Sequence, residues 1–191
     1  MTSLEHILEG ESSEAAQRLL GCLLVRQLEG AQLIGRIVET EAYDETDAAS
    51  HSYHGKTPRT AVMFGPSGYL YVYFTYGMHY CCNIVTGPEG IGSAVLIRAI
   101  EPLKGNEVMS VNRRGVQGVD LTNGPAKVCQ ALRIDKVLNG HDLNQVPLQL
   151  VEYPAIPTRD ITQTTRIGIN RAKDRLWRFY ITDSISVSRA H

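Results

Sequence analysis

Glu39, Glu41 and Tyr43 alternate along this 191-residue chain, and they form the first segment whose residue types and spacing could do chemistry. If the backbone there is extended, all three share one face, because strand side chains point alternately to opposite sides. They lead into a polar segment carrying Asp47, His51 and His54. One carboxylate could act as general base on a water while the aromatic ring holds a flat substrate. A structural use is also open, in which an arginine pairs with one or both glutamates at a sheet edge. Asp47, His51 and His54 together with Glu41 suggest a metal-dependent hydrolase as an alternative. Two histidines three apart in a loop, without a helical HExxH or a CxxC partner, make a weak ligand pattern, so the expectation is no metal. No GxSxG elbow, Walker loop or GxGxxG turn is present to support serine or nucleotide chemistry.

A second set is aromatic. Tyr69, Tyr71 and Tyr73 alternate onto one face, with Tyr76 beside Gly77 at a turn and Tyr80 beyond it. Tyr69 and Tyr71 read as ordinary strand residues with satisfied hydroxyls. A ring at a hairpin tip has no core to pack in, and residues of that kind wedge into base stacks or hold bases by their faces. A third feature is Lys127, two residues after Pro125 in a helix that starts at Asn123-Gly124-Pro125. The helix dipole disfavours a cation there, which a bound phosphate would reverse; a simple exposed lysine is the alternative.

The elements that must position these groups are legible in outline. Ser12 and Ser13 can cap a helix running to residue 20. Residues 22–28 and 32–39 predict two strands around a Glu29-Gly30 turn, 69–75 and 80–85 a second hairpin, and 95–99 a further strand. Residues 44–60 predict a long ordered loop, of the kind that is usually functional. The 123–125 start predicts a helix to residue 132, and 148–151 and 176–181 predict late strands. Consecutive hairpins with few helices between them favour a largely antiparallel α+β fold over a doubly wound sheet.

Composition sets outer bounds. Hydrophobic residues at 43% and charged residues at 20% suit a globular domain large enough to bury a core. No apolar run is long enough to span a membrane, and the N-terminus lacks the basic-then-apolar pattern of a secretory signal. The expectation is a chain that stays in a reducing compartment, with Cys22, Cys81, Cys82 and Cys129 as small buried thiols. The net charge of −1 conceals two opposed regions: residues 1–50 carry three basic against ten acidic side chains, and residues 51–191 carry 16 basic against 10 acidic. That basic remainder could be the footprint of a phosphate-rich ligand bound in a salt-sensitive way, or a solvated surface.

Several stretches resemble the alkyladenine (3-methyladenine) DNA glycosylases. They are Leu19-Leu20-Gly21, Arg36-Ile37-Val38-Glu39-Thr40-Glu41-Ala42-Tyr43, Asp47-x-Ala49-x-His51-Ser52, Thr57-Pro58-Arg59 and Met63-Phe64. Leu70-Tyr71-Val72-Tyr73, Tyr76-Gly77-Met78, Asn83, Leu96-Ile97-Arg98-Ala99-x-Glu101-Pro102, Gly124-Pro125-x-Lys127 and Arg166-Ile167-Gly168 continue the likeness, in the family's order, over about residues 14–182. The position after Met78, commonly aromatic in that family, is His79 here.

The resemblance implies a role for each matching residue. Glu41 would activate the water, which Arg98 and the carbonyl of Ile169 would help hold. Tyr43, His51 and Tyr73 would line the pocket and stack on a flipped base, with Asn83 crowding the 2-amino group of guanine. Tyr76 would fill the gap left in the duplex, Gly77 and Met78 would shape the tip, and Thr57, Arg59 and Lys127 would contact DNA. The implied activity is extrusion of damaged purines (3-methyladenine, 7-methylguanine, hypoxanthine and ethenoadenine) from double-stranded DNA. The N-glycosidic bond would be hydrolysed to an abasic site without strand cleavage, by a monomer that uses no cofactor and no membrane. Such a protein would be nucleoid-associated in a bacterium and nuclear in a eukaryote. The expected fold is a single α+β domain over residues 1–191: a largely antiparallel, curved β-sheet with flanking helices and a protruding β-hairpin. A non-catalytic module that recognises distorted DNA is the alternative from another class.

Overall fold

The computed structural model describes residues 4–75 and 77–188. Eight antiparallel strands make one curled sheet, so the α+β expectation holds. Strand β1 (Leu23–Leu28) turns through Glu29 and Gly30 into β2 (Ala31–Tyr43), with Leu28 opposite Ala31. Gly30 has φ +73°, a left-handed conformation that a residue without Cβ adopts at no steric cost. Next come β3 (Leu70–Thr75), β4 (His79–Val85), β5 (Ala94–Lys104), β6 (Leu148–Val151), β7 (Ile161–Thr164) and β8 (Arg178–Ile181). The order across the sheet is β3-β4-β5-β2-β1-β6.

The 13-residue β2 organises this arrangement. Along one edge it pairs with β5; along the other its first half pairs with β1 and its Glu39–Glu41 stretch pairs with β8, which in turn carries β7. Register shifts on either side of Glu39 bend β2 where the two partners change over. The second half of β2 is thus enclosed by neighbours on both edges, and every residue from Val38 to Ala42 is buried.

Among the described residues four α-helices cover the sheet: α1 (Glu5–Leu8), α2 (Ser12–Arg18), α3 (Asn106–Asn112) and α4 (Pro125–Ala131). Ala15 and Ala16 of α2 are fully buried against β2, and the Thr40 hydroxyl donates to the Ala16 carbonyl at 2.9 Å. Val128 and Cys129 of α4 are buried where that helix meets β4 and β5. Leu24, Leu33, Ile37, Leu70, Ile84, Ile97 and Ile100 fill the space between, each contributing about 1.5–3 kcal/mol by burial. All four cysteines are free and buried, as the sequence implied.

Three expectations need correction or extension. Ser12 is not a capping residue: Glu11 occupies the N-cap position without a side-chain bond, and the buried Ser12 hydroxyl has no partner. The strand expected over residues 32–39 runs on to Tyr43, and the one over 95–99 runs on to Lys104. Elements α1, α3 and β7, each seven residues or fewer, were not anticipated, because such short segments carry too little periodicity to be seen.

Candidate active site

A cavity of about 500 Å³ opens where β2, β3, β4 and β5 converge, closed from above by the loop around residues 48–51 and the segment 167–171. Glu41, Tyr43, His51, Tyr73, Asn83, Arg98 and Ile169, seven of the residues singled out from the sequence, all line it. Their convergence follows from the sheet. Glu41 lies opposite Leu96 across the β2–β5 ladder, Asn83 opposite Leu96 across β4–β5, and Tyr71 opposite Asn83 across β3–β4.

Glu41 is fully buried. Its Oε1 accepts from the backbone N–H of Ile167 at 2.7 Å and lies 3.1 Å from Arg98 Nη1; its Oε2 accepts from the Tyr43 hydroxyl at 2.8 Å. A carboxylate offers about four acceptor sites. The Ile167 N–H takes one on Oε1 and the Tyr43 hydroxyl one on Oε2, Arg98 pairs with Oε1, and Glu41 belongs to the cavity wall. Burial, reinforced by the neighbouring Glu41 charge, pushes the Tyr43 phenol well above its ordinary range, so it stays a donor.

Arg98 is shared. Nε donates to Glu39 Oε1 at 3.1 Å, and Nη2 donates to the Ser188 hydroxyl at 3.3 Å. Burial alone would depress the guanidinium, but Glu41 and Glu39 together lift it above its usual value, so it remains a cation. Glu39, unlike Glu41, also accepts from Arg178 Nε at 2.6 Å and from the backbone N–H and hydroxyl of Ser188 at 2.6 and 2.7 Å. The structural use of a glutamate thus falls on Glu39 and the open one on Glu41.

The aromatic walls come from β3 and the long loop. His51 Nδ1 is 3.0 Å from the Tyr71 hydroxyl, and its ring meets the Tyr73 ring edge-on at 4.5 Å. Tyr71 and Tyr73 stack at 5.7 Å. Burial and then the Arg59 charge hold His51 below the ordinary imidazole value, which favours the neutral ring. Asn83 Nδ2 donates to the Tyr71 carbonyl at 3.2 Å, fixing its amide in the wall.

The loop that carries His51 is stapled down. The Ser52 hydroxyl donates to the Gly92 carbonyl at 2.8 Å, and the Gly92 N–H donates to Glu45 Oε2 at 2.9 Å. A Cβ on Gly92 would stand 2.6 Å from both the Ser52 Cβ and the Phe64 ring, so only glycine permits this approach.

The residues expected to meet DNA fall at the rim or beyond it. Arg59 lies over the Tyr73 ring, 6.0 Å from its centroid. Thr57 is exposed, but its hydroxyl and N–H engage Thr60 at 3.0 and 2.9 Å. The hairpin tip places Gly77 at φ +67° with open space around it, and Met78 is 67% exposed. Tyr76 lies outside the described residues. Lys127 is not an isolated cation at a helix start: Asp120 Oδ1 is 3.1 Å and Asn123 Oδ1 2.6 Å from its Nζ, and these offset the dipole penalty without a phosphate.

The metal-ligand set suggested by Asp47, His51 and His54 is not assembled. Asp47 is bound by Arg166, His51 faces Tyr71, and His54 packs on the Tyr53 ring at 5.0 Å; among the described residues no three metal-binding side chains are grouped. Sequence reasoning also missed Tyr71 as a pocket residue, the Ile167 N–H on Glu41, and Ser188. Tyr71 could have been found, since it shares the Tyr73 face. The other two depend on chain segments far away in sequence and leave no local signal.

A buried carboxylate thus stands beside stacked tyrosine rings in the wall of a cavity in a curled antiparallel sheet. The chain matches the model of the methylpurine-DNA glycosylase family over residues 6–185. It is 53% identical to a protein of Carboxydothermus hydrogenoformans over 91% of this chain and 92% of that one. It is 50% identical to one of Francisella tularensis over 99% and 100%, and 48% identical to one of Methanoculleus marisnigri over 95% of each. All three are provisionally named 3-methyladenine DNA glycosylases. The chain belongs to the methylpurine-DNA glycosylase family.

Proposed function

We propose that this protein is a monofunctional DNA glycosylase. It flips damaged purines of the 3-methyladenine, 7-methylguanine, hypoxanthine and ethenoadenine class out of double-stranded DNA and hydrolyses the N-glycosidic bond. The observation that carries this reading is the buried Glu41 carboxylate, held by Tyr43, the Ile167 N–H and Arg98 in the wall of an aromatic cavity. An enzyme working on a base must take it out of the duplex, and damaged, poorly paired bases resist least. Bond cleavage builds positive charge on the sugar; Glu41 stabilises that charge and takes a proton from the attacking water. The water adds its oxygen to the anomeric carbon, and the bond electrons leave with the base. A cationic alkylpurine leaves as a neutral molecule, and a neutral base such as hypoxanthine leaves as its anion and takes a proton from solvent water.

Strand cleavage would call for an amine that attacks the sugar. Among the described residues that line the cavity there is no lysine, and Lys127 is directed to Asp120 and Asn123. The product is therefore an abasic site on an intact strand, released by a monomer.

The test is release of free base from a panel of duplexes with single lesions, for the native protein and Glu41→Gln. The native protein releases 3-methyladenine and leaves alkali-labile, unbroken strands. Glu41→Gln slows release by ~10²–10⁴-fold while still binding the lesion duplex. Undiminished release by Glu41→Gln would refute the assignment of the base, and tight binding by a native protein that releases nothing would favour a recognition module.

A further inference from the structure

Arg166 lies outside the cavity wall, yet it governs two parts of that wall. It forms an ion pair with Asp47 in which neither side chain has any solvent exposure. Both guanidinium Nη atoms bond the carboxylate, Nη2 at 3.0 Å from Oδ1. Nη1 also donates to the Ala42 carbonyl at 2.9 Å and Nη2 to the Ala172 carbonyl at 3.3 Å. Ala42 precedes the pocket residue Tyr43. Ala172 follows the 167–171 segment, whose Ile167 N–H holds Glu41, and turns back with φ +46°. The same guanidinium lies over the Tyr43 ring, 4.6 Å from its centroid, and 5.4 Å from the Trp177 ring. Trp177 is fixed from its other contacts: its carbonyl accepts from the Ala42 N–H at 2.8 Å, and Arg175 lies 4.3 Å from its ring centroid.

Tyr43 belongs to the cavity wall and Arg166 does not, so the ring stands between the cation and the cavity. A base stacked on Tyr43 experiences whatever net charge lies behind the ring, with little water to screen it. An uncompensated guanidinium there would oppose the attraction between a ring face and a cationic base. The bidentate Asp47 carboxylate cancels that charge. Burial alone would weaken the guanidinium's hold on its proton, but the Asp47 hydrogen bonds and charge raise its pKa above the ordinary value, so the pair is ionic and neutral in sum.

We propose that the Asp47–Arg166 pair is a specificity-determining and positioning element of the site: its balanced charge lets the Tyr43 ring hold a cationic alkylated purine as well as a neutral one, while the guanidinium fixes the ring and the 167–171 segment. The inference rests on the base-excision reading above and goes beyond it in assigning a determinant of substrate charge. Neither residue touches the base; both act through Tyr43.

The experiment compares a cationic with a neutral base. Single-turnover release of 7-methylguanine and of hypoxanthine, together with the Kd for each lesion duplex, is measured for the native protein, Asp47→Asn, Arg166→Gln and the double variant. The ratio of cationic to neutral is taken from release where both bases are released and from Kd otherwise. Asp47→Asn leaves a bare cation behind Tyr43 and lowers the ratio about tenfold; Arg166→Gln leaves a bare anion and raises it by a similar factor. The double variant, neutral again, returns the ratio to within about twofold of native, even if it is slower on both bases. A purely structural pair would lower both bases equally in every variant, and an unmoved ratio in a folded single variant overturns the proposal. If unpaired burial prevents either single variant from folding, the other decides by the sign of its shift. If only the double variant folds, a tenfold change in its ratio overturns the proposal and a native ratio supports it. A native protein that releases neither base, nor 3-methyladenine, overturns the base-excision reading itself, whereas release of both with a fixed ratio overturns only the role of this pair.

Discussion

Glu39 and Glu41 stand two residues apart on β2, have no solvent exposure and share Arg98, yet they differ in how fully they are bonded. Glu39 accepts from Arg98, Arg178 and both donors of Ser188, and its role ends there. Glu41 accepts from the Tyr43 hydroxyl and the Ile167 N–H, pairs with Arg98 at 3.1 Å and lines the cavity. A buried carboxylate is tolerated when its acceptors are filled, and each vacancy is a loss of stability unless a ligand or water fills it. The two glutamates thus differ in that Glu39 meets four donors inside the fold while Glu41 lines the cavity, a difference set by which chain segments return to β2.

The comparison is broken most strongly at Glu39. Glu39→Gln leaves Arg98 and Arg178 with one carboxylate between them in a buried setting. Removing one partner of such a network destabilises by about 3–5 kcal/mol, and a denaturant midpoint should fall accordingly. Glu41→Gln keeps a carbonyl acceptor for Ile167 and Arg98 and leaves the Glu39 hub whole, so its loss of stability is smaller, about 1–3 kcal/mol, although its loss of base release is far larger. A Glu39→Gln protein as stable as the native one would show that the four donors are not holding the fold.

Gly92→Ala sharpens the same contrast from the cavity side. The added methyl group would displace Ser52 or Phe64 and with them the loop that carries His51, while the Glu39 network lies elsewhere. Overpacking of this kind costs about 1–3 kcal/mol. Lesion binding should weaken along with stability in Gly92→Ala, whereas Glu39→Gln, measured where it is still folded, should bind with little change. Isothermal binding to a lesion duplex alongside thermal melts separates the two.

The path from sequence to site was uneven for physical reasons. The Glu39, Glu41 and Tyr43 alternation was legible because a strand has a period of two and β2 is long, and the aromatic face of β3 was legible for the same reason. What the alternation could not assign was which glutamate is saturated. That depends on β8 and Ser188, which lie well over a hundred residues further along the chain. Asp47 looked like a ligand because it is a polar residue in a loop, and only the fold reveals that Arg166 has already taken both of its oxygens. Gly92 gave no signal at all, since its role is to have no side chain at one point of contact. The position of Lys127 is compatible with a bound phosphate or a simple exposed lysine, and no local signal reveals that Asp120 and Asn123 meet its ammonium.

The smallest expected effect concerns His51, which faces Glu41's cavity but is still partly open to solvent. Burial and Arg59 depress its pKa, so the folded state prefers the neutral ring. For a basic group shifted downward, the folded state loses stability as pH falls below the ordinary value of 6.5, and the loss stops growing once pH passes below the depressed value. Activity follows the same sign. Above the depressed pKa the imidazole is neutral and does not oppose a cationic base; below it, His51 is a cation at 4.5 Å from the Tyr73 ring and competes with that base for the same pocket. Release of 7-methylguanine should therefore decline on the acid side, by about tenfold at most, with hypoxanthine less affected. His51→Gln removes the titrating group and should flatten that acid limb while lowering the plateau. An acid limb that persists unchanged in His51→Gln would assign the titration to another group and remove His51 from the discrimination between cationic and neutral bases.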